Sequence, residues 1–192
     1  MGASAAPVRP RLSKSARRHQ LLDVVAEQIV VHGVAAISME RVAEWAGVSK
    51  GLPYAHFDNV ESLLVALYQR EWVAIGREIV AALDEAGPDE DLAAVRVHTY
   101  FEAVARRAEV IRALTAPGST VPRQADPDGE GQRYTAGLLY RYHGVPKAKA
   151  LAISGILQGA LWGAVTTWLH GLAERDVLED ALVSMLNAVA RP

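Results

Sequence analysis

No cysteine occurs anywhere in the 192-residue chain. That excludes disulfides and thiolate metal sites, and it fits a reducing cytoplasm. Also absent are a Gly-rich phosphate loop, a G-x-S-x-G elbow, an H-E-x-x-H pair and an E-x-x-H pair of the di-iron kind. Neither an enzyme nor a bound cofactor or metal is therefore expected. No alternation of apolar and polar residues persists long enough to make a strand, so the expected fold class is all-α. Residues 1–20 are cationic but lead into no apolar run, so no secretory leader is expected.

What is present suits one compact domain with a small appendage. Hydrophobic residues make up 51% of the chain and charged residues 22%, proportions that allow a buried core. Charge is unevenly spread. Arg9, Arg11, Lys14, Arg17 and Arg18 precede the first acid, Asp23. Adding Arg41 and Lys50, residues 1–57 hold seven cations against Asp23, Glu27, Glu40 and Glu44, whereas the whole chain has a net charge of −2. A basic front end on an acidic body predicts a polyanionic partner for that end alone.

One uncharged run, ALAISGILQGALWGAVTTWL at residues 150–169, is long enough to cross a bilayer. Ser154, Gln158, Thr166 and Thr167 dilute it, and an amphipathic segment follows almost at once. A soluble helix is the preferred reading, with no membrane. Gly155, Gly159 and Gly163 then recur at four-residue spacing, which lets two helices approach closely within a subunit or across a dimer.

Along the chain, residues 1–14 read as a flexible basic arm containing Pro7 and Pro10. Residues 15–58 read as a helix-turn-helix domain. Its first helix is expected from Ser15, as cap, to His32, with Leu22, Val25, Ala26, Ile29 and Val30 inward and Gly33 as the stop. Ser38 is expected to cap a second helix with Met39, Val42, Ala43 and Ala46 inward. Gly47 stops it, Val48 fills the corner, and Ser49 caps a third helix reaching Phe57. Helix, glycine, apolar corner, cap and helix, with a basic approach, form the arrangement of a DNA-binding helix-turn-helix.

Residues 59–192 read as a helical ligand-binding and dimerisation domain, giving about nine helices in all. A long helix over residues 59–86 carries Leu63, Leu64, Ala66, Leu67, Val73 and Ile79. Helices follow over 91–107, 108–115, 132–143, 147–172 and 176–191, and PGSTVPRQADPDGEG at 117–131 is expected to be a mobile loop.

The string Arg18, Gly33, Ser38, Val42-Ala43, Ala46-Gly47-Val48-Ser49, Gly51, Tyr54, Phe57, Glu61 and Leu63-Leu64 resembles the tetracycline-repressor (TetR) family of bacterial transcription regulators. The resemblance rests on residues 17–71. It implies a homodimer with a three-helix DNA-binding head, a connecting fourth helix and a helical effector-binding body. The helices at 150–169 and 177–189 would pair into a four-helix bundle between subunits.

By that resemblance residues 49–57 enter the major groove of a double-stranded operator. Lys50, Gly51, Leu52, Tyr54, Ala55 and His56 would face DNA, with Ser38, Arg41 and Ser49 beside them. Lys50 can pair with guanine or phosphate, and Leu52 or Ala55 can pack on a thymine methyl. Tyr54 and His56 suit phosphate contacts. The chain departs from the family pattern at Pro53, where a large apolar residue is usual, and at Val60, where a lysine is common. A slightly deformed recognition helix is the expected result. The candidate effector lining is Trp72, His98, Phe101, Tyr140, Trp162 and Thr166, which suits a small, largely apolar ligand, with His98 as a possible polar anchor. The alternative is a helical partner- or ligand-binding protein with weakened DNA binding.

Overall fold

The computed structural model describes residues 12–116, 118–126 and 129–190, without the side chains of Arg123 and Gln124. Most of the basic arm, with Arg9 and Arg11, lies outside the described residues. Among those residues there are ten α-helices, one 3-10 turn and no strand. The chain divides into two compact units, one ending at Leu63 and the other starting at Leu64.

The first unit opens with α1, Lys14–His32. Its cap is Ser13, whose hydroxyl accepts from Ala16 N–H at 3.1 Å. The expected cap, Ser15, lies inside the helix. Leu21, Leu22, Val25 and Ile29 are buried, whereas Val30, expected inward, is 41% exposed. The buried set is therefore centred one residue earlier than the periodicity suggested. Gly33, at φ 76°, ends α1. A 3-10 turn at Val34–Ala36 then leads to α2, Met39–Trp45. The Ser38 hydroxyl caps α2 by accepting from Arg41 N–H at 3.3 Å, a bond of a kind worth about 1 kcal/mol.

The second helix ends in a Schellman turn. Gly47 sits at φ 63°, its N–H reaches Glu44 O at 3.0 Å, and Val48 N–H reaches Ala43 O at 2.9 Å. These two bonds satisfy carbonyls that the helix end would otherwise leave open. Only a residue tolerant of a left-handed backbone fits at the corner, which is why glycine stands there. The third helix, α3, spans Gly51–Tyr54. The expected Ser49 cap is not made by its hydroxyl. Instead the Ser49 carbonyl accepts from Leu52 N–H at 2.9 Å in a tighter turn.

Pro53 leaves no orphan behind. Its missing N–H would have bonded the Ser49 carbonyl, and Leu52 already occupies that acceptor. Winding continues through His56 and Phe57, whose N–H groups reach Pro53 O at 3.0 and 2.9 Å. Pro53 and Phe57 are buried, so proline takes the inward place expected for a larger apolar side chain.

The fourth helix, α4, spans Val60–Glu85 and begins in the first unit. Asn59 and Ser62 cap it reciprocally: Asn59 Oδ1 accepts from Ser62 N–H at 2.8 Å and Ser62 Oγ accepts from Asn59 N–H at 3.2 Å.

In the second unit α4 is followed by α5, Leu92–Ala105, and α6, Ala108–Leu114. Next come α7, Val121–Ala125, α8, Glu130–His143, α9, Lys147–Leu169, and α10, Arg175–Ala190. The short α7 falls where a mobile loop was expected. Pro122 stands in its first turn, where a missing N–H costs no helical bond. Along its length α8 lies on α9, while α10 packs on α5 and α9. Ile75, Ile79, Val97, Phe101, Leu139, Leu157, Val165 and Leu186 form the core. Val73, expected inward, is 52% exposed.

Buried charge at the α4–α6 side is paired. Glu71 accepts from Arg70 at 2.7 Å and from Arg107 at 3.2 Å. Arg107 also reaches Glu78 at 2.6 Å, and Arg106 bonds the other Glu78 oxygen.

Candidate functional site

In the first unit the corner between α2 and α3 presents Arg41, Ser49, Lys50, Gly51, Tyr54 and Ala55 to solvent. Ser38, Leu52 and His56 are half-buried. Glu40 ties part of this surface together. The Tyr54 hydroxyl donates to Glu40 Oε1 at 3.1 Å. The Glu40 carboxyl is held below its usual range by its own backbone N–H, by Tyr54 and by the Lys50 charge. The Tyr54 phenol is raised by the same bond. Its one hydrogen is committed to Glu40, so in this arrangement Tyr54 has none to give a phosphate.

Arg41 is braced from the other side. Its Nη1 donates to Ala36 O at 3.2 Å, and its guanidinium lies 5.3 Å from the Trp45 ring centroid. Trp45 stacks on His32 at 5.7 Å and 4°. Gly51 has a negative φ, and a Cβ built there would meet nothing within 4 Å. Neither backbone strain nor crowding inside the unit requires glycine at that position.

His56 gathers a second group. Burial holds its imidazole below the usual histidine range, and the charges of Lys14, Arg18 and Arg17 lower it further. The ring is therefore neutral at neutral pH, with Nδ1 buried and unpartnered. Arg18 lies 4.9 Å from the Phe57 ring centroid. The cations of α1 thus converge on the end of the recognition segment. Lys14, Arg17 and Arg18 were absent from the residue-level site expected from sequence, although their density there was the signal.

In the second unit the expected effector residues separate into groups. Trp72 and Trp162 meet edge to face at 5.8 Å, and Trp72 also stacks on Tyr100 at 6.0 Å. Tyr100 touches Phe101 at 5.9 Å, and Phe101 touches Trp168 at 5.6 Å. Thr166 turns its hydroxyl back to Trp162 O and Gly163 O, each at 3.0 Å. Two candidates lie elsewhere. Tyr140 is 50% exposed, with Lys147 Nζ 4.8 Å from its ring centroid. His98 is exposed and meets Glu179 at 3.3 Å beside Arg175. It lines an open surface pocket with Glu102, Arg175 and Glu179.

Sequence reasoning missed Arg96. It lies on α5, is 3% exposed, and its Nη1 is buried without a hydrogen-bond partner. Burial lowers its guanidinium to about 10, so it stays charged at neutral pH. His143 Nε2 is likewise buried and unpartnered. Burial first, and Arg96 second, push that imidazole down to about 4, with Asp91 opposing. The signal available in the sequence was a single cation inside the apolar run LAAVRVHTYF.

Residues 21–67, which span most of α1, the α2–α3 corner and the start of α4, match the sequence model of bacterial regulatory proteins, tetR family. This head region is similar to that of the TetR family. Among its relatives, the HTH-type transcriptional regulator BetI of Agrobacterium fabrum is 34% identical over 101 residues, covering 52% of this chain and 48% of BetI. The HTH-type transcriptional repressor KstR2 of Rhodococcus jostii is 35% identical over 95 residues, 47% of this chain and 45% of KstR2. The chain spans about half the length of these curated relatives. The body is matched by fold alone. The solved structure of the fatty acid degradation regulator FadR from Bacillus halodurans superposes with a TM-score of 0.68 over 91% of this chain and 96% of FadR, at 19% identity. The likeness to the TetR family thus lies in the head, and the body shares only its all-helical fold with the solved structure.

Proposed function

We propose that this chain, whose head resembles that of the TetR family, is a one-component transcriptional regulator. It binds a palindromic operator as a homodimer through residues 49–57 and leaves the operator when a small, largely apolar effector binds. The α2–α3 corner carries this reading. A glycine turn fixes the angle, Pro53 and Phe57 anchor the segment from behind, and Lys50, Gly51, Tyr54 and Ala55 face outward.

In this reading Lys50 meets guanine or phosphate, and Leu52 and Ala55 pack on thymine methyls. Ser38, Arg41, Ser49 and His56 lie at the phosphate backbone with the cations of α1. Tyr54 joins them once Glu40 releases its hydrogen. Repression by occluding polymerase is the sense adopted, as KstR2 is named a repressor. A regulator of DNA acts in the cytoplasm.

The dimer reading draws on α9 and α10. Leu151 and Ile156 on α9 are 50% and 70% exposed, and a Cβ at Gly159 or Gly163 would meet nothing within 4 Å. On α10, Val177, Ala181, Ser184 and Ala188 recur at helical spacing and are all exposed. By length and composition α9 would also cross a membrane. A second subunit covers the same apolar face, and the small residues let the helices approach closely.

The aromatic group around Trp72, Tyr100 and Trp162 is the proposed seat of the effector's apolar part. A mobility-shift assay on the DNA upstream of the chain's own coding sequence tests the reading. A specific, salt-sensitive shift is expected. A shift no stronger than on unrelated DNA would favour the alternative, a helical binding protein that no longer reads DNA, for which Val60 in place of a family lysine is the remaining support.

A further inference from the structure

Buried charges in this fold come in two kinds. Glu71 is buried and satisfied by Arg70 and Arg107. Arg96 is more deeply buried, yet no carboxylate among the described residues pairs with it, and its Nη1 has no partner of any kind. The groups that act on it are the Tyr134 and Tyr100 phenols and the imidazole of His143. Tyr134 spends its own hydrogen on Gly76 O at 2.8 Å. Proteins keep a buried cation when something anionic completes it.

The surroundings say what kind of anion fits. Arg96 and Tyr100 are four residues apart on one face of α5, and Tyr100 stacks on Trp72, which meets Trp162. Trp72 Nε1 is also buried without a hydrogen bond of normal geometry, and burial raises the neighbouring Tyr68 phenol to about 12, with Trp72 opposing. A cationic fork therefore stands at one end of an aromatic group. His143 is neutral, so the fork supplies one positive charge and matches a monoanion better than a dianion. A guanidinium also pairs with the two oxygens of a carboxylate in one plane.

We propose that Arg96 is the anchor of the effector site, and that the effector is an amphipathic monocarboxylate whose apolar part lies on Trp72, Tyr100 and Trp162. This rests on the reading of the chain as a ligand-responsive regulator and sharpens its largely apolar effector into one with a single anionic head. Filling the site neutralises the buried charge, so binding stabilises the second unit.

The test uses the full-length protein and calorimetric titration without DNA. Decanoate and 2-naphthoate are the carboxylate probes, decanol and 2-naphthol their neutral counterparts, and decyl phosphate the dianion. The carboxylates are expected to bind about tenfold or more tighter than the alcohols and tighter than decyl phosphate. Arg96→Gln should remove that advantage and leave alcohol binding unchanged, while Arg96→Lys should restore part of it. Melting of ligand-free Arg96→Met separates an anchor from a structural cation. An unpaired buried charge predicts a Tm equal to or above wild type, and a fall would mean that Arg96 holds the fold.

Equal affinity for acids and alcohols, tighter binding of decyl phosphate, no carboxylate binding, or unchanged carboxylate binding in Arg96→Gln would each overturn the proposal. A parallel mobility shift keeps the two readings apart. Operator binding without carboxylate binding defeats the anchor alone. Carboxylate binding that never releases operator leaves the anchor and defeats the regulatory reading.

Discussion

The Tyr54 hydroxyl donates to Glu40 Oε1 across 3.1 Å, joining the exposed side of α3 to the first turn of α2. The bond places a carboxylate on the surface proposed to face phosphates and removes the hydrogen that Tyr54 would offer them. Glu40→Gln keeps an acceptor of similar shape and deletes the charge. Operator affinity, read by fluorescence anisotropy, should rise by about two- to fivefold. A fall would mean that Glu40 positions Tyr54 for DNA rather than withholding it.

Gly51 separates folding from binding. Its backbone is in the ordinary helical region and the space before it is open. Gly51→Leu should therefore leave the melting temperature unchanged or slightly raised, since glycine in a helix costs about 0.5–1 kcal/mol relative to alanine. Operator affinity should drop at least about tenfold, because a side chain would hold the backbone away from the duplex. Equal affinity would show that α3 does not approach DNA closely.

The arm contributes charge that can be counted. Deleting residues 1–12 removes Arg9 and Arg11. If both meet phosphates, the slope of log affinity against log salt should flatten by about 2 per subunit. An unchanged slope would remove the arm from the interface.

His143 predicts an acid-sensitive second unit. Its folded value of about 4 lies below the ordinary 6.5, so the unfolded chain takes up the proton first as pH falls. Stability should decline between pH 6.5 and 4 and level off below that. The shift corresponds to about 3 kcal/mol at most, and the ring's partial exposure reduces this to about 2 kcal/mol. His143→Gln, compared with wild type in denaturant melts across that range, should lose this part of the pH dependence. Parallel curves would show that His143 titrates normally.

Much of the head was legible because the devices concerned are local. Ser38 as cap, Gly47 as left-handed stop and Phe57 as inward anchor are fixed by neighbours a few residues away. Around Pro53 a slightly deformed helix was expected and a tighter first turn is found, but sequence spacing does not reveal that Leu52 takes the Ser49 carbonyl. The body was legible as helices but not as a site. Trp72, Tyr100 and Trp162 come from α4, α5 and α9, and no periodicity within one helix reports their meeting. His98 and Arg96 lie two residues apart on α5, a separation that points them to different sides. Periodicity alone did not say which of the two was buried, and the structure places Arg96 inside and His98 at the surface.

The proposed regulator requires that residues 49–57 read DNA as a symmetric pair. DNase protection of the upstream region by the full-length protein measures this most directly. Two protected half-sites about one helical turn apart, or a multiple of it, are expected. Both should vanish in Lys50→Glu at unchanged helical content. Absence of a discrete protected region, or protection that survives Lys50→Glu, would contradict it.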